Sequence, residues 1–131
     1  MYLANKSTPT TLLVKQVGNY LYKHLDGAYK KTQSGNQYNI YMMVYYQVPL
    51  VDREFSDETD DVQEMKIHIN VTSYSNKLRV NIIEITPDEF TIGSIIIPAD
   101  KAENTQDIVI KVNQKVRRSL EKHYKEYDFI F

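Results

Sequence analysis

The reactive side chains of this sequence do not fall at the spacings that catalysis or metal binding requires. His24, His68 and His123 are dispersed and form no H-x-x-x-H pattern. Cysteine is absent, which excludes disulfide frameworks, thiolate zinc sites and thiol nucleophiles together. No G-x-S-x-G elbow occurs, and Gly18, Gly27, Gly35 and Gly93 are too scattered to build a phosphate-cradling loop. The sequence thus offers no catalytic residues, no metal ligands and no cofactor motif. It predicts a protein that is not an enzyme.

Three other groupings point to binding chemistry. In the stretch YNIYMMVYYQVP, Tyr41, Met43 and Tyr45 occupy alternate positions, so an extended chain projects all three to one side. Lys66, His68, Asn70, Arg79 and Asn81 would share that side on neighbouring strands. Tyr, Met and Arg are enriched at protein interfaces, so Tyr41, Met43, Tyr45, Lys66, His68 and Arg79 make a candidate partner-binding surface. Lys111, Lys115, Arg118, Lys122 and Lys125 are spaced 4, 3, 4 and 3 apart and would form one stripe along a helix. Such a stripe matches phosphate contacts, but a net charge of −1 favours a solvated helix face. Seven acidic residues (Asp52, Glu54, Asp57, Glu58, Asp60, Asp61 and Glu64) crowd the region after the first strand. They lack the D-x-[DN]-x-[DN]-G calcium pattern, so a flexible, solubilising loop over 49–62 is expected.

The elements that must position these groups are legible from periodicity. Residues 9–30 predict a helix with Thr8 as N-cap, Pro9 at its first position, and Leu13, Val17, Tyr20, Leu21, His24, Leu25 and Ala28 on one apolar face. The polar run Lys30 to Asn36 would end it as a turn. A strand follows over 38–48, with Tyr38, Ile40, Met42, Val44, Tyr46 and Val48 inward. A hairpin then places Met65, Ile67, Ile69 and Val71 opposite Leu78, Val80 and Ile82, with its turn at Ser75-Asn76 and its alternation broken at Ile83 and Ile85. FTIGSIIIP is a fourth strand. A last helix spans about 105–126 from an Asn104 cap, with Ile108, Val109, Val112, Val116, Leu120, His123, Tyr124 and Tyr127 on its apolar face. His24 and His123, lying within apolar faces, read as hydrogen-bonded core histidines. The tail over 127–131, YDFIF, is too apolar to remain in water and is expected to dock.

These elements give a single α+β domain over residues 1–131. It is a two-layer sandwich: a four-stranded antiparallel meander with the N-terminal and C-terminal helices packed on one face, in the order α-β-β-β-β-α. RWD-type domains share this element order, but their tyrosine-proline motif has no counterpart here. The meander would make the first and fourth strands edges, and both are unusually apolar. The expected function is therefore non-catalytic: an adaptor or complex subunit, or a homodimer, binding a protein partner or itself through the helix-free face and an exposed edge strand. Two alternatives stand beside it. One is a nucleic-acid-binding domain using the sheet tyrosines and basic residues. The other is an enzyme or small-ligand carrier with a pocket between helices and sheet. No apolar run approaches the roughly 18 residues that span a bilayer, and no signal-peptide pattern opens the chain. A cytoplasmic protein without a membrane partner is expected.

Overall fold

Helix α1 (Thr10–His24) stops short of the predicted residue 30 because Gly27 adopts a left-handed conformation, φ +82, that a helix cannot continue through. The computed structural model describes residues 10–48, 62–74, 77–86, 88–102 and 105–131. The expected caps at Thr8, Pro9 and Asn104, the Ser75-Asn76 turn and the acidic residues 49–61 lie outside these described residues. Leu13, Val14, Val17, Leu21 and Leu25 form the buried stripe of α1. The ring of Tyr38 lies directly on the helix backbone at Gly18, and its hydroxyl donates to Asn19 Oδ1 at 2.6 Å.

Past Gly27 the chain enters strand β1 (Ala28–Ser34), where the sequence predicts helix and then a turn. The mistaken helix continued the apolar spacing as far as Ala28. The strand itself is exposed along nearly its whole length, so burial leaves no alternation to read. A two-residue connection, Gly35-Asn36, with Gly35 at φ +58, pairs Ser34 with Gln37 and starts β2 (Gln37–Gln47). The sheet continues through β3 (Val62–Tyr74), β4 (Lys77–Thr86) and β5 (Thr91–Pro98). A short 3-10 turn (Ala99–Lys101) leads towards α2 (Thr105–His123), and the chain closes with β6 (Asp128–Ile130).

All pairings are antiparallel in the order β1-β2-β3-β4-β5, and β6 pairs with β2. The helix-on-sheet, two-layer α+β architecture is as expected, but among the described residues the sheet has six strands where four are predicted. Because β3 occupies the whole of one edge of β2, β1 and β6 must share the other. They lie end to end along it, β1 against Gln37 to Met42 and β6 against Tyr45 to Gln47. The first predicted strand is thus an interior strand and no edge at all, whereas β5 is an edge as expected.

The inward and outward faces follow the predicted alternation. Tyr38, Ile40, Met42, Val44 and Tyr46 are buried on β2, Met65, Ile67, Ile69 and Val71 on β3, and Leu78, Val80 and Ile82 on β4. They form one core with Val17 and Leu21 of α1 and with Ile108, Val112, Val116 and Leu120 of α2. The irregularity expected at Ile83 and Ile85 is a β-bulge, although inward and outward positions still alternate through Ile83, Glu84 and Ile85. Glu84, fully buried, takes the next inward position, and Ile85 is the extra residue of a bulge between the pairs Ile67–Glu84 and Lys66–Thr86.

Neither terminal-helix histidine is a core residue. His24, the last residue of α1, is exposed with its ring 4.2 Å from that of Tyr20. His123, the last of α2, is also exposed, stacked on Phe90 at 3.9 Å with Nε2 3.4 Å from Asp88 Oδ2. Each is the last residue of its helix, and beyond it the chain turns so that Leu25 and Tyr124 take the buried positions instead.

Gly27 supports a direct test of this corner. Met43 N–H donates to the Gly27 carbonyl at 2.9 Å, and the Met43 carbonyl packs so close to the Gly27 Cα that a methyl group would collide with backbone. Gly27→Ala adds this clash to the left-handed strain and is expected to cost about 2–4 kcal/mol in urea denaturation. Gly35→Ala, equally left-handed but in open space, is expected to cost only about 1 kcal/mol.

Candidate interaction surface

Strand register determines which side chains meet on the face away from the helices. One row crosses β1 to β5: Thr32, Asn39, Asn70, Asn81 and Ser94 are successive cross-strand partners. Its amides form a ladder, with Asn39 donating to Thr32 Oγ1 at 3.2 Å, Asn70 to Asn39 Oδ1 at 2.7 Å and Asn81 to Asn70 Oδ1 at 3.4 Å. The neighbouring row runs Lys30, Tyr41, His68, Ile83 and Thr91. The Tyr41 and His68 rings stack at 4.8 Å and 8°, Lys30 Nζ stands 5.5 Å from the Tyr41 centroid, and His68 Nε2 is 2.9 Å from Asn39 Oδ1. Partial burial lowers the His68 pKa from its ordinary value, favouring the neutral ring.

Apolar exposure concentrates at one end of this face. Ile130 of β6 is directly opposite Tyr45, and Val62 is opposite Gln47, the next outward position of β2. Tyr45, Ile130 and Val62 are 42%, 51% and 41% exposed; Tyr45 stands between Ile130 of β6 and the exposed Glu64 of β3, with Val62 one row further along and half-buried Met43 one row back. Lys66 lies between Met43 and Thr86, and Arg79 between Thr72 and Ile96, in the same outward rows. The structure therefore places Tyr41, Met43, Tyr45, Lys66, His68 and Arg79 on one face. Sequence reasoning missed Ile130, Val62, Lys30 and Ile83. The first two join the patch only through pairing between strands distant in sequence, and Lys30 belongs to the strand that was read as a turn.

The basic stripe sits in the other layer. Lys111, Lys115 and Arg118 line the flank of α2 beside Ile95 of β5, Lys122 is exposed in the last turn of the helix, and Lys125 lies beyond the helix end. Lys111 pairs with Asp107 at 3.3 Å. Lys115 is half-buried, its stem packed on Gly93 of β5.

Two further places were tested for chemistry. A cleft of about 210 Å³ opens where β1 and β6 leave Met43 and Val44, bounded by Asn113, Val116 and Arg117 of α2 and by Phe131. It lies between helix and sheet, but it falls below the roughly 300–1,000 Å³ of a small-molecule site. The buried Glu84 carboxylate accepts hydrogen bonds from the Tyr124 hydroxyl at 2.9 Å, from the Asp88 N–H at 3.2 Å and from the Phe90 N–H at 3.5 Å. Burial, reinforced by the bond to Glu84, pushes the Tyr124 pKa far above that of an ordinary phenol. Glu84 is thus bound on several sides and anchors the β4–β5 turn to the end of α2, as a structural carboxylate does. Among the described residues no group of His, Cys, Asp or Glu could hold a metal ion, and no helix is long and apolar enough to cross a membrane.

Comparison with protein families, with curated proteins and with solved structures finds no match to this chain.

Proposed function

We propose that this protein is a non-catalytic interaction module that binds a protein partner, or a second copy of itself, through the helix-free face of its sheet. The observation that carries this reading is the cross-strand pairing of exposed Tyr45 with exposed Ile130, with Val62 diagonal to Tyr45 on β3 and Met43 one row along β2. Exposed apolar side chains scattered singly are ordinary, but a contiguous group built from separate strands marks a contact surface. The amide ladder, about 20 Å along β2 from Tyr45 on the same face, supplies polar, hydrogen-bonding groups of the kind that interfaces carry around an apolar centre.

Tyr45→Ser combined with Ile130→Ser is expected to abolish association while leaving the fold intact, since both side chains point away from the core. Truncating a central interfacial aromatic commonly costs about 2 kcal/mol, roughly a thirtyfold loss of affinity. Light-scattering mass and partner capture, run beside a melting curve, check the expectation. A folded double variant with the parent's mass and the parent's partners would refute the reading.

A nucleic-acid reading has less support on the same face. Tyr41 is already stacked on His68 and approached by Lys30, so it is not a free platform for a base. It predicts RNA binding that falls steeply with salt, and an absence of binding at low salt removes it.

A further inference from the structure

The outer edge of β5 lies across the sheet from the Tyr45 and Ile130 pair, with β3 and β4 between. β5 pairs only with β4 among the described strands. An edge strand directs the N–H and C=O groups of alternate residues outward with no partner. Natural edges are usually blunted by lysine, by inward charge or by proline within the strand. The sequence TIGSIIIP holds no charge, and its proline stands at its last position. Ile96 is 42% exposed on the helix-free side.

The flank of this edge is strongly basic. α2 lies over β5 so closely that Lys115 Cε occupies the space where a Gly93 side chain would stand. Together Lys111, Lys115, Arg118 and Ile95 line a groove between the helix and the strand. Lys111 is paired with Asp107, whereas Lys115 and Arg118 enter no ion pair among the described residues. Pairing β5 with the β5 of a second copy would bring two such basic flanks together, a repulsion that argues against self-association here.

We infer that the β5 edge accepts an extended acidic peptide segment of a partner protein as an added strand. The added strand's side chains alternate between faces. Those opposite Gly93 and Ile95 point to the helix layer, where carboxylates meet Lys115 and Arg118. Those opposite Ser94 and Ile96 point to the helix-free face, where apolar side chains extend the Ile96 surface. The edge thereby selects a segment in which Glu or Asp alternates with Val, Ile or Leu.

The probe is a capped, dye-labelled eight-residue peptide of alternating Glu and Val, titrated against the whole chain by fluorescence anisotropy at low salt. Saturable binding that weakens with added salt is expected, with hydrogen-exchange protection appearing on the β5 amides. Lys115→Gln with Arg118→Gln keeps the aliphatic stems and is expected to weaken binding about tenfold, the loss of two surface ion pairs near the top of their usual range. A peptide with Lys replacing Glu is expected not to bind. The Tyr45→Ser, Ile130→Ser variant is expected to bind the Glu-Val peptide as the parent does, so failure of this site and failure of the open-face patch are read separately. The inference is overturned by no saturable binding at millimolar peptide, by equal binding to the Gln variant, or by binding without protection of β5. A single-stranded oligonucleotide that binds the stripe where the peptide does not would also overturn it.

Discussion

Ile69→Asp is expected to leave the chain unfolded. Ile69 is fully buried at the centre of β3, between Ile40 of β2 and Ile82 of β4. The substitution removes core packing worth about 2–5 kcal/mol and places a carboxylate without a partner in the core, at several more. Together these are of the same order as the roughly 5–15 kcal/mol that holds a domain of this kind. Val80→Asp on the neighbouring strand is expected to behave the same way. Asn70→Asp, one residue along but on the open face, is expected to remain folded and lose only its amide donations to Asn39 and Gln37. Far-UV circular dichroism with a urea titration distinguishes the two outcomes. A cooperative Ile69→Asp protein with the parent's midpoint would mean that the faces of β3 are reversed.

The second large effect is expected at Glu84. Glu84→Ala strands the buried Tyr124 hydroxyl and the Asp88 and Phe90 amides without their acceptor, at an expected cost of about 3–5 kcal/mol. Glu84→Gln retains one acceptor oxygen and is expected to cost less. The same contact gives stability a dependence on alkaline pH. Below the ordinary tyrosine pKa of about 10, Tyr124 is protonated whether the chain is folded or not. Above it the unfolded chain releases the proton while the fold, whose Tyr124 pKa is raised, retains it. Stability therefore falls as pH rises beyond that point, and Tyr124→Phe removes this component of the slope. A parent and a Phe variant with identical alkaline slopes would exclude Tyr124 as its source. His68 works in the opposite direction. Its lowered pKa favours the fold above the ordinary histidine value, and this contribution is lost as pH falls through the folded pKa.

The sequence was readable wherever one side of a strand was dry. On β2, β3 and most of β4 the two-residue period separates Ile40, Ile69 and Val80 from Tyr41, Asn70 and Asn81, and the candidate face followed from it. It was unreadable where burial was slight or unconventional. β1 packs so little of its surface that AYKKTQS resembles a turn, and β6 is too short to show a period although the apolar character of YDFIF marked it for docking. Glu84 disguised the last inward position of β4, because a carboxylate in a core row looks like the end of the row until its hydrogen-bond donors are known. Ile130 and Val62 illustrate a different limit: a patch assembled by pairing among β2, β3 and β6 has no local signature.

The arrangement of β6 on β2 also bears on how this protein keeps in storage. Three residues cover the backbone of Tyr45 to Gln47, on a strand that carries no charge from Gln37 to Gln47. So short a strap detaches in local fluctuations far cheaper than global unfolding. Each detachment bares an apolar strand edge of the type that seeds cross-β assembly. Shelf life in concentrated solution is then expected to track the grip of β6, which rests on Phe129 among the rings of Tyr46, Tyr124 and Tyr127 as much as on its three-residue pairing.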